Sequence, residues 1–264
     1  MKGESFEAKP SGEEGRQYHV RVRSGEVAPV VLLPGDPERV EKIKAFWSQS
    51  RELTRHRGYI VETGKIGPYP ISVCSTGIGA PSTSIAVEEL SRCNCQVFIR
   101  VGSMGAIQPN IACGDLVIAS AAVRLEGSSK QYVRPEYPAA ADIETTMALI
   151  EATESLGFRY HVGYVASTDS FYCGQGREGF GGYWQSWMDD IIPDLRRARV
   201  LGFEMESSLL FVLSSLFGLR SGAIMAVFAN RVTGQVSISG ESECAKVACE
   251  AVKILYEKGT LKKA

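Results

Sequence analysis

Gln96-Val97-Phe98-Ile99-Arg100-Val101-Gly102-Ser103-Met104-Gly105-Ala106 is a short apolar run that carries an arginine and then breaks at Gly102. The run reads as a buried strand. An unpaired charge at its end would cost roughly several kcal/mol, so Arg100 needs an anionic partner. Glycines on both sides of Ser103 let the backbone turn sharply and expose N–H groups beside the hydroxyl. Strand, arginine and glycine-serine-glycine together make a cradle for a phosphate or a carboxylate. The same residues fit equally well a structural arginine paired with an internal Asp or Glu.

Outward from this stretch, two further glycine turns follow apolar strands. Val30 to Leu33 stops at Pro34-Gly35-Asp36-Pro37. Asp36 suits the cap and Pro37 the first turn of a helix expected to run to about Trp47. Arg39 falls in that first turn, where a cation is disfavoured unless an anion shares the site. Ile71 to Ser75, an antiparallel neighbour of Gly58 to Glu62, leads to Gly77-Ile78-Gly79 and a helix to about Cys93. The third glycine of a dinucleotide fingerprint would fall on Ser82, so that motif fails.

Further along, Asp115 to Val123 reads as a strand, and Asp142 to Leu156 as a helix with Ile143, Met147 and Ile150 on one face. Val162 to Ala166 is a strand and residues 178–200 are irregular. Gly202 to Ser207 opens an apolar helix ending at Gly218, Ala223 to Phe228 is the last core strand, and Glu241 or Ser242 to Glu257 is the closing helix. Strands alternate with helices, so the class is α/β. The expectation is a single domain over 18–264, with a central mixed, mostly parallel twisted sheet flanked by helices, after a disordered lead-in over 1–17. In such sheets ligands sit beyond the carboxyl ends of the strands, where the turns at Gly35, Gly77 and Gly102 gather.

Composition narrows the function classes. A net charge of −1 over 264 residues gives no general drive toward nucleic acid or an anionic membrane. The 7 cysteines form no CxxC pair and the 3 histidines are far apart, which argues against a zinc site. Free thiols, a polar N-terminus without a signal-peptide core, and no apolar run near the ~20 residues of a membrane span point to a soluble cytoplasmic protein.

Two further groups carry chemistry. Gln175 offers a coplanar donor and acceptor and Arg177 a fork of donors, which suit the carbonyl-NH-carbonyl edge of a planar ring, and Phe171 upstream can stack on its face. An ordinary polar loop with Phe171 in the core fits the same residues. Glu204 and Glu206 sit on apolar sequence two positions apart and so face different ways: one can cap a helix while the other reaches a ligand hydroxyl pair. Met205 between them reads as core, and His56-Arg57 as a third cation for the anion site or a basic surface loop.

Leu33 to Arg39, Ser75 to Ser84, Arg100 to Gln108 and Gly202 to Ser207 resemble, in order, the nucleoside phosphorylase family of uridine phosphorylases and hexameric-type purine nucleoside phosphorylases. The resemblance runs from about residue 28 to the final helix. Phe171-Tyr172-x-Gly174-Gln175-x-Arg177 and Val227 to Arg231 resemble the uridine branch; the purine branch carries a Ser-Asp pair in the latter region, and no aspartate stands here.

The resemblance implies a pentosyltransferase that cleaves uridine with phosphate to uracil and ribose 1-phosphate in pyrimidine salvage. It further implies that Gly35, Arg39, Arg100 and Ser103 bind phosphate, joined by Arg57 from an adjacent subunit. His19, also across a dimer, and Met205 and Glu206 would contact ribose; Phe171, Gln175 and Arg177 would hold the base. The catalytic set is then Arg177, Gln175, Glu206 and Arg100, with no cofactor or metal and with a homodimer as the minimal active unit.

Ser103 keeps the hydroxyl of the family's threonine. Met104 replaces a small polar residue, and Gly58 stands where a cation-binding glutamate occurs in relatives, so the resemblance does not extend to an interface cation. A purine phosphorylase, a nucleosidase and a non-catalytic nucleoside-binding protein are the alternatives on this fold.

Overall fold

The computed structural model describes residues 15–261. Of the expected lead-in, residues 1–14 lie outside the described residues. Arg16 pairs with Glu26 at 2.7 Å, and the Gln17 N–H donates to the Val22 carbonyl at 2.8 Å.

In chain order the elements are β1 (Val30–Leu33), α1 (Arg39–Lys44), β2 (Gln49–His56), β3 (Tyr59–Ile66), β4 (Tyr69–Cys74), α2 (Ala80–Ser91), β5 (Val97–Ala106), β6 (Leu116–Arg124), α3 (Ile143–Ser155), β7 (Tyr160–Ser167), α4 (Ile191–Arg197), β8 (Gly202–Glu204), α5 (Ser207–Leu216), β9 (Arg220–Asn230), β10 (Gln235–Val236) and α6 (Glu241–Glu257). One mixed sheet joins all the strands, with parallel ladders along β4-β1-β5-β9 and β6-β7-β8. Antiparallel pairing takes up the β2-β3-β4 arm, β10 with β9, and the β5–β8 and β6–β9 junctions, a larger share than the strand–helix alternation led us to expect. Because β5 pairs with both β8 and β9, the strands β5-β9-β6-β7-β8 close on themselves. Both sheet faces are covered. One core packs Val87 and Leu90 of α2 and Leu209 and Leu213 of α5 on Phe98 and Met225; the other packs Ile43 of α1, Leu149 of α3 and Val252 of α6 on Ile99 and Ile224.

Several sequence expectations shift. β5 does not break at Gly102: β9 pairs with it along its whole length, with one irregularity between Met104 and Gly105. Gly202 to Glu204 is a strand rather than the start of a helix, because it wedges between β5 and β7. No side chain fits at Gly202, where a Cβ would lie 2.3 Å from the Gly105 carbonyl oxygen. α1 is shorter than expected, and Asp36 accepts from the Glu38 N–H in the turn before it. Asp142 caps α3 as its position suggests, but Ile143 and Met147 point outward, and Ala148, Leu149 and Ala152 make the buried face. The irregular stretch over residues 178–200 contains α4.

Register positions the site. Leu33 lies beside Arg100, so the turn at Gly35 emerges next to the arginine, while Ser167 of β7 lies beside Glu204 of β8.

Candidate active site

A cavity of about 440 Å³ opens at the carboxyl ends of β1 and β5, lined by residues that include Gly35, Arg39, Arg100, Ser103, Phe171, Gln175, Arg177, Met205 and Glu206. Residues separated by 171 positions of sequence thus meet around one volume.

At one end Arg100 is buried and ion-paired twice: Nε lies 2.9 Å from Glu204 Oε2 and Nη2 lies 2.6 Å from Glu206 Oε2. The structural reading of Arg100 is therefore realised, and the same side chain also lines the cavity. Burial alone would lower its pKa, but the Glu206 and Glu204 carboxylates hold it above the ordinary arginine value. Gly102 makes this geometry possible, because the guanidinium folds back over it: a Cβ there would sit 2.8 Å from Arg100 Cζ. Arg39 is buried beside it and donates from Nη1 to the Val101 carbonyl at 3.1 Å.

The two glutamates face different ways, as their spacing predicts. Glu204 Oε2 accepts from the N–H groups of Glu206 (2.8 Å) and Ser207 (2.9 Å), closing the start of α5, and Oε1 accepts from the Ser167 hydroxyl. Glu206 faces the cavity, and its Oε1 accepts from the Gly79 N–H at 2.5 Å. Burial pushes its pKa up, against the pull of Arg100, and the neighbouring Glu204 adds to the rise.

At the other end Gln175 is buried with its amide already oriented. Its nitrogen donates to Thr168 Oγ1 at 3.0 Å, and its oxygen accepts from Arg177 Nη1 at 2.5 Å. Arg177 also donates to the Phe171 carbonyl at 2.6 Å, and its Cζ lies 4.0 Å from the centre of the Phe171 ring. Phe171 is half exposed rather than in the core. Arg231 at the end of β9 backs this loop, donating to the Gln175 and Gly176 carbonyls at 3.0 and 2.9 Å. Burial, and then the charge of Arg231, bring Arg177 down to about 10.

His19 and Arg57 do not join this assembly; neither lines the cavity of its own chain. Arg57 is exposed, 5.3 Å above the Tyr18 ring, and His19 Nδ1 lies 2.6 Å from Glu89 Oε1. The tie of Glu204 to Arg100, and the support from Thr168 and Arg231, were not read from the sequence. Arg231 had a signal in the motif at Val227 to Arg231, whereas Thr168 and Ser167 had none beyond their place at a strand end. Among the described residues no cluster of three or more His, Cys, Asp or Glu is gathered to hold a metal, and no helix is long and apolar enough to cross a membrane.

Comparison with known proteins agrees with this geometry. A sequence model of the Phosphorylase superfamily matches residues 29–258. The chain is 61% identical over 249 residues to a protein of Thermococcus kodakarensis named uridine phosphorylase, covering 94% of this chain and 90% of that one. It is 41% identical over 231 residues to the uridine phosphorylase of Escherichia coli (87% and 90% covered), and 37% identical over 219 residues to a guanosine phosphorylase of Halorubrum lacusprofundi (83% and 86%). With the match running through both ends of the cavity and nearly the whole chain, the protein belongs to the phosphorylase superfamily.

Proposed function

We propose that the protein is a uridine phosphorylase, a pentosyltransferase that cleaves uridine reversibly with inorganic phosphate to give uracil and ribose 1-phosphate. The observation that carries this reading is the opposition, across one cavity, of a two-arginine anion end and the Gln175–Arg177 pair. Arg39, Arg100, Ser103 and the turn at Gly35 hold the phosphate, Glu206 and Met205 hold the ribose, and Phe171, Gln175 and Arg177 hold the base.

Cleavage makes the sugar oxocarbenium-like and places negative charge on uracil. Arg177, already oriented on Phe171, stabilises that charge as it forms, with Gln175 at the same edge. Phosphate fixed against Arg100 attacks C1′ from within the complex rather than by collision. The Glu206 carboxylate accepts from the ribose hydroxyls and fixes the sugar. Uridine and phosphate alone balance the reaction, so we assign no cofactor.

We further propose that a dimer is the minimal active unit, with Arg57 reaching the phosphate and His19 the ribose of a neighbouring copy. Their exclusion from their own cavity supports this. The free cysteines fit a reducing compartment, and we assign the cytoplasm.

The test is uracil release from uridine, followed by absorbance with and without phosphate. Phosphate-dependent release is expected; release without phosphate would make the enzyme a hydrolase. Cleavage of guanosine or inosine but not uridine would transfer it to the purine branch. For the dimer, inactive Arg57→Ala chains mixed with inactive Arg100→Ala chains regain activity, since a mixed dimer holds one intact site; no recovery after subunit exchange would refute a shared site.

A further inference from the structure

Arg39 begins a helix, where the free N–H groups disfavour a cation, and it is only 4% exposed. A guanidinium in that place has to be held. Its Nε donates to Glu241 Oε1 at 2.7 Å, and its Nη1 donates to the Val101 carbonyl. Glu241 opens α6, 202 positions later in the chain, where the helix N-terminus favours a carboxylate. Its other oxygen accepts from Lys42 Nζ. Arg39 lines the cavity whereas Glu241 does not, and the Arg39 donors engaged within the protein are Nε and Nη1.

We infer that Glu241 is a positioning residue for phosphate: it fixes Arg39 by Nε so that Nη2 is left to meet the oxyanion, while Lys42 cancels the charge Glu241 brings. The inference rests on the reading of Arg39 as a phosphate ligand. Two cations against one carboxylate leave the cluster with one positive charge, so the orienting anion does not neutralise the arginine it orients. Burial would raise the Glu241 pKa, but the bonds from Lys42 and Arg39 bring it below the ordinary carboxylate value, which keeps it ionised at neutral pH.

A plain staple between α1 and α6 is the competing account. Those helices are already joined by apolar packing, with Val40 and Ile43 buried in the same core as Val252 and Leu255.

The experiment combines steady-state kinetics, varying uridine and phosphate separately, with calorimetric titration by inorganic phosphate. The full-length proteins compared are the native chain, Arg39→Gln, Glu241→Ala, Glu241→Gln, Lys42→Met and the double variant Arg39→Gln/Glu241→Ala. For Glu241→Ala the expected result is a rise in KM for phosphate of about tenfold, with KM for uridine within about twofold. Glu241→Gln should fall between it and the native protein, because its oxygen still accepts from Nε. If the alanine variant is unstable, the glutamine variant carries the test. Lys42→Met should raise the phosphate KM about threefold by leaving the Glu241 charge uncancelled. In the Arg39→Gln background, removal of Glu241 should change nothing further.

If Arg39→Gln leaves phosphate affinity unchanged, the phosphate reading of Arg39 falls, and the inference with it. If Arg39→Gln weakens phosphate but the Glu241 variants tighten it, leave it unchanged or raise both KM values alike, Glu241 is a competing anion or a staple. The positioning role is then overturned while Arg39 stands.

Discussion

The two ends of the cavity are built on opposite plans. At the end proposed to hold phosphate the charged groups stand on strands and helix starts, are buried, and are paired with carboxylates: Arg100 with Glu204 and Glu206, Arg39 with Glu241. At the base end the groups stand on a loop, Phe171 is half exposed, and Arg177 is satisfied by its own loop through the Phe171 carbonyl and Gln175. The difference fits what we propose each end binds. A phosphate dianion is highly charged and needs fixed donors in a dry place, where they act most strongly. A neutral base must enter, gain charge and leave, and donors carried on a loop suit that passage.

The first way to break the contrast is Arg100→Ala. It strands two buried carboxylates, so phosphorolysis should fall by about 10³-fold or more in kcat/KM and stability by about 3–5 kcal/mol. Calorimetry and kinetics on the same sample check both losses; a variant of native stability would mean that the cluster is solvated and that the phosphate end is not dry. Arg177→Ala should lower kcat for uridine about 10²-fold while leaving phosphate KM within about twofold and stability nearly unchanged. A large loss of melting temperature would place Arg177 in the scaffold and dissolve the distinction.

Gly102→Ala is the sharper probe. The added methyl displaces the Arg100 guanidinium without removing any charge, and phosphate KM should rise about tenfold, read by varying phosphate at saturating uridine. An unchanged value would show that the arginine relocates freely. Smallest is Phe171→Ala. Loss of the ring beneath Arg177 should raise uridine KM about two- to fivefold, in line with a partly exposed cation–π contact. A shift in phosphate KM instead would mean that the two ends are coupled.

What was legible in the sequence was legible for local reasons. The turns at Gly35 and at Gly77 to Gly79, the helix from Asp142 and the closing helix from Glu241 to Glu257 rest on residues within a few positions of one another. The reading of Arg100 as paired with an internal carboxylate held. The rest depended on distance along the chain. Glu204 lies 104 positions after the arginine it pairs with and Glu241 lies 202 after Arg39, so no spacing rule links them. Gly202 looked like part of a helix start because its pairing partners, β5 and β7, are supplied by the fold. Ile143 and Met147 have the helical period of a core face, yet they are exposed; periodicity shows that a stripe exists but not which side of the helix the sheet will take.

The closed circuit β5-β9-β6-β7-β8 has a consequence for how each half of the site opens. Val97 to Arg100 of β5 lie between β1 and β9, and their amides are expected to release their hydrogens only when the whole domain opens, whereas those around residues 171–177 need only a local fluctuation. The end proposed for phosphate is therefore expected to open only with the domain, and the end proposed for the base by local fluctuation. Isotope exchange into the amides of the resting enzyme should show this as two separate clocks, and uracil should slow only the faster one.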